Sequence, residues 1–377
     1  MKKLFGLALL AIAGVAMAQN SNKLTIKGEV GTLGDTVLVF RAQNRNLPPD
    51  TVLARNGTID YSISLDKPQW LYIAYLGNWT GSERRGSNFR LLGVPGEVAV
   101  IKPVAENVFR IGGSKFYVDY NEAKAPLDSA MTVAVDAEKE FRRRVANGEN
   151  ADAVRGELMK KMDAAFEYSK NAIIDYVKTH PDNDASAAMI PMFDDLDDME
   201  KTVAMLSERV KNGRMKPVYS LAIESARKAI EEEKQREQLQ ASGIEAPDFT
   251  LNDITGKPLA LSSLRGKYVV IDFWGSWCGW CIKGMPKMKE YYAKYKGKFE
   301  ILGVDCNDTE EKWKAAVAKY ELPWLHVYNP RNTEVLQKYG ISGFPTKILV
   351  GPDGKIVQTV VGEAPAFYTL LDNILGE

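Results

Sequence analysis

The chain has 377 residues, too many for one typical domain. Its 49 basic and 49 acidic residues cancel to a formal net charge of zero, which leaves no electrostatic footprint for nucleic acid. Only three cysteines occur, Cys278, Cys281 and Cys306, too few for a disulfide-stapled exported scaffold.

The first element is a leader. Lys2 and Lys3 form a positive start, Leu4 to Val15 is an apolar run, and Ala16-Met17-Ala18 is a small-x-small cleavage site. Residues 1–18 are therefore expected to be a signal peptide cleaved before Gln19, leaving 47 basic against 49 acidic residues. The competing reading is an uncleaved anchor, but the run is shorter than the ~20 apolar residues of a membrane span. No cysteine follows the cleavage site, so no lipid anchor is expected. The predicted location is the periplasm.

Residues 22–114 read as β-rich. Leu24, Ile26, Gly28 and Val30 alternate with polar residues, as do Ile59, Tyr61, Ile63 and Leu65, the period of strands with one buried face. Further strands are expected over 35–40, 70–76, 97–102 and 107–111. Turns fall at Gly31, Gly34, Asn56-Gly57, Gly77-Asn78 and Gly112-Gly113. The pattern predicts a small antiparallel sandwich or barrel.

Residues 115–241 read as a helical region. Val154, Leu158, Met162 and Phe166 recur every four positions, and Ile173 and Val177 extend the face. A second set runs through Met199, Val203, Leu206 and Val210. A third spans 216–241 and carries the charge run 231–236, a solvated helix face. This region is also the candidate surface for a homodimer.

From residue 244 to 377 the pattern becomes β-α alternation, the mark of an α/β domain. Strands are expected over 268–274, 299–305, 347–350 and 355–361, the last two joined by Gly351-Pro352-Asp353-Gly354. Helices are expected over 282–295, 310–320 and 367–375.

The strand at 268–274 runs into Cys278-Gly279-Trp280-Cys281, and a helix follows. Cys278 thus stands at a helix N-terminus, where free backbone N–H groups and the helix dipole favour a thiolate. Cys281 is close enough to resolve a mixed disulfide formed at Cys278. Zinc would need a second ligand pair, and His180 and His326 are isolated, so no metal site is expected. A purely structural bridge is the other alternative.

These residues resemble the thioredoxin superfamily, and most closely its periplasmic TlpA/ResA-like branch. The resemblance covers about residue 244 to the C-terminus. It rests on Ala246-Pro247-Asp248-Phe249, the turn from Leu261 to Lys267, Trp277-Cys278-Gly279-Trp280-Cys281, and Gly343-Phe344-Pro345-Thr346. It implies a thioredoxin-like α/β C-terminal domain and a redox-active Cys278–Cys281 disulfide. It also implies a cis Phe344-Pro345 bond that turns backbone groups of Phe344 towards the sulfurs; the alternative is an ordinary trans loop proline. Asp272, six residues before Cys278, matches the buried acid of thioredoxins and would accept a proton from Cys281. The alternative is a hydrogen-bonded strand residue. Trp277, Trp280, Phe344 and Thr346 are the implied substrate-binding residues, with core packing as the alternative for Trp277. Trp280 departs from the family, since many relatives have proline there. Cys306, at a strand end, is either a third redox thiol or a partly buried free cysteine.

The implied function is a cell-envelope thiol-disulfide oxidoreductase that reduces or exchanges protein disulfides. Its implied partners are client proteins with disulfides or thiols and a membrane thiol relay that supplies electrons. No cofactor is implied. A disulfide oxidase or isomerase is the alternative direction. A peroxidase is disfavoured because Gly275 and Ile271 stand where peroxiredoxins need a hydroxyl residue and a proline. The β-rich region resembles a domain of unknown function that precedes TlpA-like modules in Bacteroidetes envelope proteins. That leaves open a binding protein with an accessory redox domain, with Trp70, Tyr72, Tyr75 and Trp79 as binding face or core.

Overall fold

A computed structural model describes residues 22–30, 36–42, 47–75, 88–105, 108–330 and 334–376. The predicted leader, the turns at Gly31, Gly34 and Gly77-Asn78, Trp79 and the Tyr75 side chain lie outside the described residues. The chain divides into two compact units, one up to Arg227 and one from Lys228 onward.

In the first unit the strands are β1 (Lys23–Glu29), β2 (Thr36–Arg41), β3 (Asp50–Leu53), β4 (Thr58–Ser64), β5 (Gln69–Tyr75), β6 (Asn88–Gly93), β7 (Val98–Ala105) and β8 (Val108–Gly113). They form two four-stranded sheets, ordered β4-β1-β7-β8 and β3-β2-β5-β6. Leu24, Ile26, Ile59 and Ile63 from one sheet, and Val37, Val39, Leu71 and Ile73 from the other, meet in one core. The result is a sandwich, but not a wholly antiparallel one, because β1 runs parallel to β7. Gly28 permits that close approach, since a Cβ there would stand 2.0 Å from the Ile101 carbonyl oxygen. Trp70 and Tyr72 alternate with the core residues Leu71 and Ile73 and are half-buried, with Arg90 over the Tyr72 ring.

The helices of this unit are α1 (Lys115–Ala146), α2 (Ala151–Thr179), α3 (Asp184–Met189), α4 (Leu196–Met205), α5 (Glu208–Lys211) and α6 (Lys216–Leu239). The division between units falls within α6. The helices share the core of the sandwich through Phe116, Tyr117, Ile173, Val177, Met189 and Val210. Helix α1 falls in the expected helical region, but the sequence offered no apolar face for it. Its buried residues are Phe116, Tyr117, Tyr120, Ala123, Ala130 and Ala137, and after the first turns only alanines mark the face, which gives weak hydrophobic contrast. The predicted helix through Met199 and Val210 is in fact two. The chain leaves helical geometry at Leu206, and the Ser207 hydroxyl caps α5 by accepting the Val210 N–H.

The second unit holds β9 (Thr250–Asp253), β10 (Pro258–Ala260), β11 (Tyr268–Trp274), α7 (Gly279–Lys294), β12 (Phe299–Cys306), α8 (Glu310–Lys319), β13 (Leu325–Asn329), α9 (Glu334–Lys338), β14 (Thr346–Val350), β15 (Ile356–Val361) and α10 (Pro365–Leu375). One seven-stranded sheet has the order β10-β9-β13-β12-β11-β14-β15. Strands β11, β12 and β13 are parallel, while β14 returns antiparallel beside β11. A core with Val270, Trp274, Met285, Met288, Trp313, Phe367 and Leu371 covers one face. A second core with Phe249, Ile271, Phe273, Val335 and Tyr339 covers the other. Central strand β11 is therefore buried on both faces, which explains its continuous apolar run. This is the expected thioredoxin-like α/β architecture. Strand β13 has no clear strand pattern in the sequence, because His326 interrupts its run.

Candidate active site

Strand β11 delivers the chain to the carboxyl edge of the sheet, and α7 starts there. Cys278 is the N-cap of α7 and Cys281 lies in its first turn. The two sulfurs are joined in a disulfide, with Cα atoms 5.3 Å apart. The Cys278 Sγ also accepts the backbone N–H of Cys281 at 3.2 Å. When the pair is reduced, that N–H and the helix N-terminus stabilise a thiolate at Cys278. Both cysteines are largely buried, whereas Trp277 and Trp280 beside them are 51% and 63% exposed. Trp277 is therefore not a core residue. Its indole N–H donates to the Cys306 carbonyl at 2.9 Å, and its ring meets Phe344 edge-on at 5.3 Å. Lys283 lies over the Trp280 ring.

Phe344 belongs to the loop before β14, and the Phe344-Pro345 bond is cis. The aromatic contact with Trp277 brings this loop beside the disulfide. Thr346 corrects the expectation of a substrate-facing residue. It is buried, and its hydroxyl donates to the Gly343 carbonyl, so it braces the loop from within.

Asp272 lies on the same face of β11 as Val270 and Trp274, which pack with α7. It is buried, and its Oδ1 has no hydrogen-bond partner. Burial pushes its carboxyl up, Lys347 pulls it back, and Glu363 adds to the rise.

Cys306 is fully buried, its thiol donates to the Val304 carbonyl, and burial pushes that thiol up far above the usual range. It is a buried free cysteine, and its carbonyl rather than its sulfur serves the active-site loop.

Several site residues escaped sequence reasoning. Asp308 accepts the Ser276 backbone N–H and hydroxyl, which fixes the turn ahead of Cys278. Asp305, buried and beside Asp308, has its carboxyl pushed up to about 8 by burial and by that neighbour. The buried Lys347 forms an ion pair at 2.8 Å with Glu363, which is only partly buried. The legible signal was a lone lysine inside the buried run of β14.

A parallel-centred sheet with a helix-capping Cys-x-x-Cys defines a protein of the thioredoxin class. Residues 242–359 match the model of the AhpC/TSA family. Over 129 residues the chain is 40% identical to the thiol-disulfide oxidoreductase ResA of Bacillus cereus, covering 34% of this chain and 73% of that one. It is 35% identical over 123 residues to ResA of Bacillus subtilis, covering 32% of this chain and 68% of that one. It is also similar to the thioredoxin domain of a thiol-disulfide oxidoreductase from Bacteroides vulgatus. That match has 36% identity, covers 36% of this chain and 98% of that one, and has a TM-score of 0.34. The chain belongs to the ResA-like thiol-disulfide oxidoreductases.

Proposed function

We propose that this oxidoreductase works in the periplasm, reducing disulfides of client proteins through Cys278 and Cys281. Cys278 attacks the client disulfide. Cys281 then attacks Cys278, and the client leaves with both sulfurs reduced. Asp272 accepts the Cys281 proton as that thiol becomes a nucleophile. Trp277, Trp280 and Phe344 seat the client, on a loop shaped by Pro345 and Thr346. The observation that carries this reading is the Cys278 sulfur at the head of α7, accepting the Cys281 N–H.

Residues 1–18 act as the export leader, followed by a β-rich domain (22–114), a helical region (115–241) and the redox domain (244–377). The charged start, apolar run and small-x-small site support export. Among the described residues no helix is long and apolar enough to cross a membrane. A membrane thiol relay returns the electrons. A homodimer through the helical region is favoured by Met131 and Val135, exposed apolar residues one turn apart on α1.

The test is trapping. Cys281→Ala should accumulate client mixed disulfides at Cys278, and Cys278→Ser should accumulate none. Equal trapping by both variants would overturn the assignment. Direction of flow is read from the reduction potential: near ~−270 mV supports the reductase, and near ~−120 mV the oxidase alternative.

A further inference from the structure

Among the described residues Lys347 is the only buried lysine. It stands in a strand whose five residues are all buried. Its register partner on β11 is Asp272, which places the two side chains side by side under α7. Its ammonium nevertheless pairs with Glu363, from the loop between β15 and α10, at 2.8 Å. The other Glu363 oxygen accepts the Tyr368 hydroxyl.

Glu363 reaches this place because residue 284 has no side chain. A Cβ on Gly284 would lie 2.2 Å from Glu363 Oε2. Gly284 is one helical turn past Cys281, and buried. The acid under the catalytic helix thus comes from another element, and a glycine makes room for it. The Lys347 ammonium is paired with Glu363 and acts on Asp272 only through its charge.

We propose that Lys347 and Glu363 are positioning residues that set how readily Asp272 exchanges a proton with Cys281. This rests on the reading of Asp272 as proton acceptor. A buried lysine persists here because the partly buried carboxylate beside it offsets its lost hydration. While Lys347 is committed to Glu363, ionising Asp272 would leave an unmatched buried charge, so Asp272 holds its proton tightly. Where the Glu363 side chain is removed or displaced, Lys347 is left to Asp272 and loosens that proton.

The groups facing Asp272 come from every neighbouring element. Tyr368 of α10 and Cys306 of β12 lie within electrostatic reach of Asp272, and Cys278 and Cys281 of the α7 start pack in the core that holds Val270 and Trp274 from the same face of β11. On β12 the register partner is Gly303, with Asp305 two residues further on. Beyond Gly303 lies His326 of β13, buried and pushed down to about 4, so its ring stays neutral.

The step balances. The Cys281 thiol gives its proton to the Asp272 carboxylate, and its electron pair forms the bond to Cys278 Sγ. The bond from Cys278 to the client sulfur breaks, and its electron pair leaves on the client thiolate, which takes a proton from water. The client disulfide is reduced by two electrons and the dithiol is oxidised.

The test follows the carboxyl stretch of protonated Asp272 by infrared spectroscopy in the full chain, reduced, against pH. The band is assigned by its loss in Asp272→Asn. Glu363→Gln should lower the titration midpoint by about one unit or more, and Lys347→Arg should keep it near the starting value. Gly284→Ala, which pushes the carboxylate aside without removing charge, is a second variant and should lower it as well. A midpoint that stays put or rises in folded Glu363→Gln and Gly284→Ala overturns the proposal. The underlying reading has its own arm, the pH profile of single-turnover peptide-disulfide reduction by Asp272→Asn. An unchanged profile there removes Asp272 from the chemistry. A flattened profile with unmoved midpoints in the other variants sinks the positioning pair alone.

Discussion

Asp272→Asn should make the redox unit more stable and a poorer enzyme. The asparagine keeps the shape of the carboxyl but cannot ionise. In the folded protein the Asp272 carboxyl is raised by burial, so between the unfolded value near ~4 and its folded value the native state holds a proton that the unfolded chain has released. Its contribution to stability is complete below about pH 4 and is lost as pH rises through the folded value. The difference in unfolding free energy between variant and parent therefore grows by about 1.4 kcal/mol per pH unit above about pH 4. It levels off where the folded carboxyl ionises, so the plateau reads out that value. Denaturant unfolding of the oxidised chain at several pH values measures it. Tryptophan fluorescence reports chiefly the second unit, because Trp274, Trp277, Trp280, Trp313 and Trp324 lie there out of seven in the chain. The same substitution should slow resolution of the mixed disulfide by about 100-fold or more, the range of a lost general base. A pH-independent difference in stability, or resolution at the parent rate, would refute the reasoning.

Asp305→Asn should remove a second loss of stability, one that runs from about pH 4 up to about pH 8 in the parent, checked by the same unfolding series. Cys306 should resist alkylation in the folded chain and react only on unfolding, since its thiol is buried and pushed up; mass spectrometry of labelled peptides decides this. Trp277→Ala removes the edge-on contact with Phe344. It should raise KM for a protein client by about twofold to tenfold, while a small disulfide reagent is turned over unchanged. Leu158→Ala, in the cluster with Ala137 and Val154 that joins α1 to α2, should cost the first unit about 2–5 kcal/mol in a denaturant titration.

The redox unit was legible because its local patterns agree with its tertiary structure. The run from Tyr268 to Trp274 is apolar on both faces because the strand is covered on both. The cysteines sit at a strand-to-helix junction where spacing alone places them. What stayed hidden depends on partners far apart in sequence. Glu363 gains its meaning from Gly284 and Lys347, which no local period links. Asp308 acts on Ser276 across 32 residues. Helix α1 lay within the expected helical region but its face stayed hidden because the alanines buried along it look like a neutral surface, and β13 stayed hidden because a buried histidine breaks its pattern. In the sandwich, alternation identified strands but could not reveal that β1 and β7 run parallel, since side-chain period is the same in either pairing.

The most direct test is a thiol count of the native chain across a graded dithiothreitol buffer, set beside the same titration of Cys278→Ser. Two titratable sulfurs per molecule should appear together in a single transition and vanish on reoxidation, and the serine variant should lose all exchange with a disulfide substrate. A count that never changes, or a serine variant that exchanges as fast as the parent, would contradict the account.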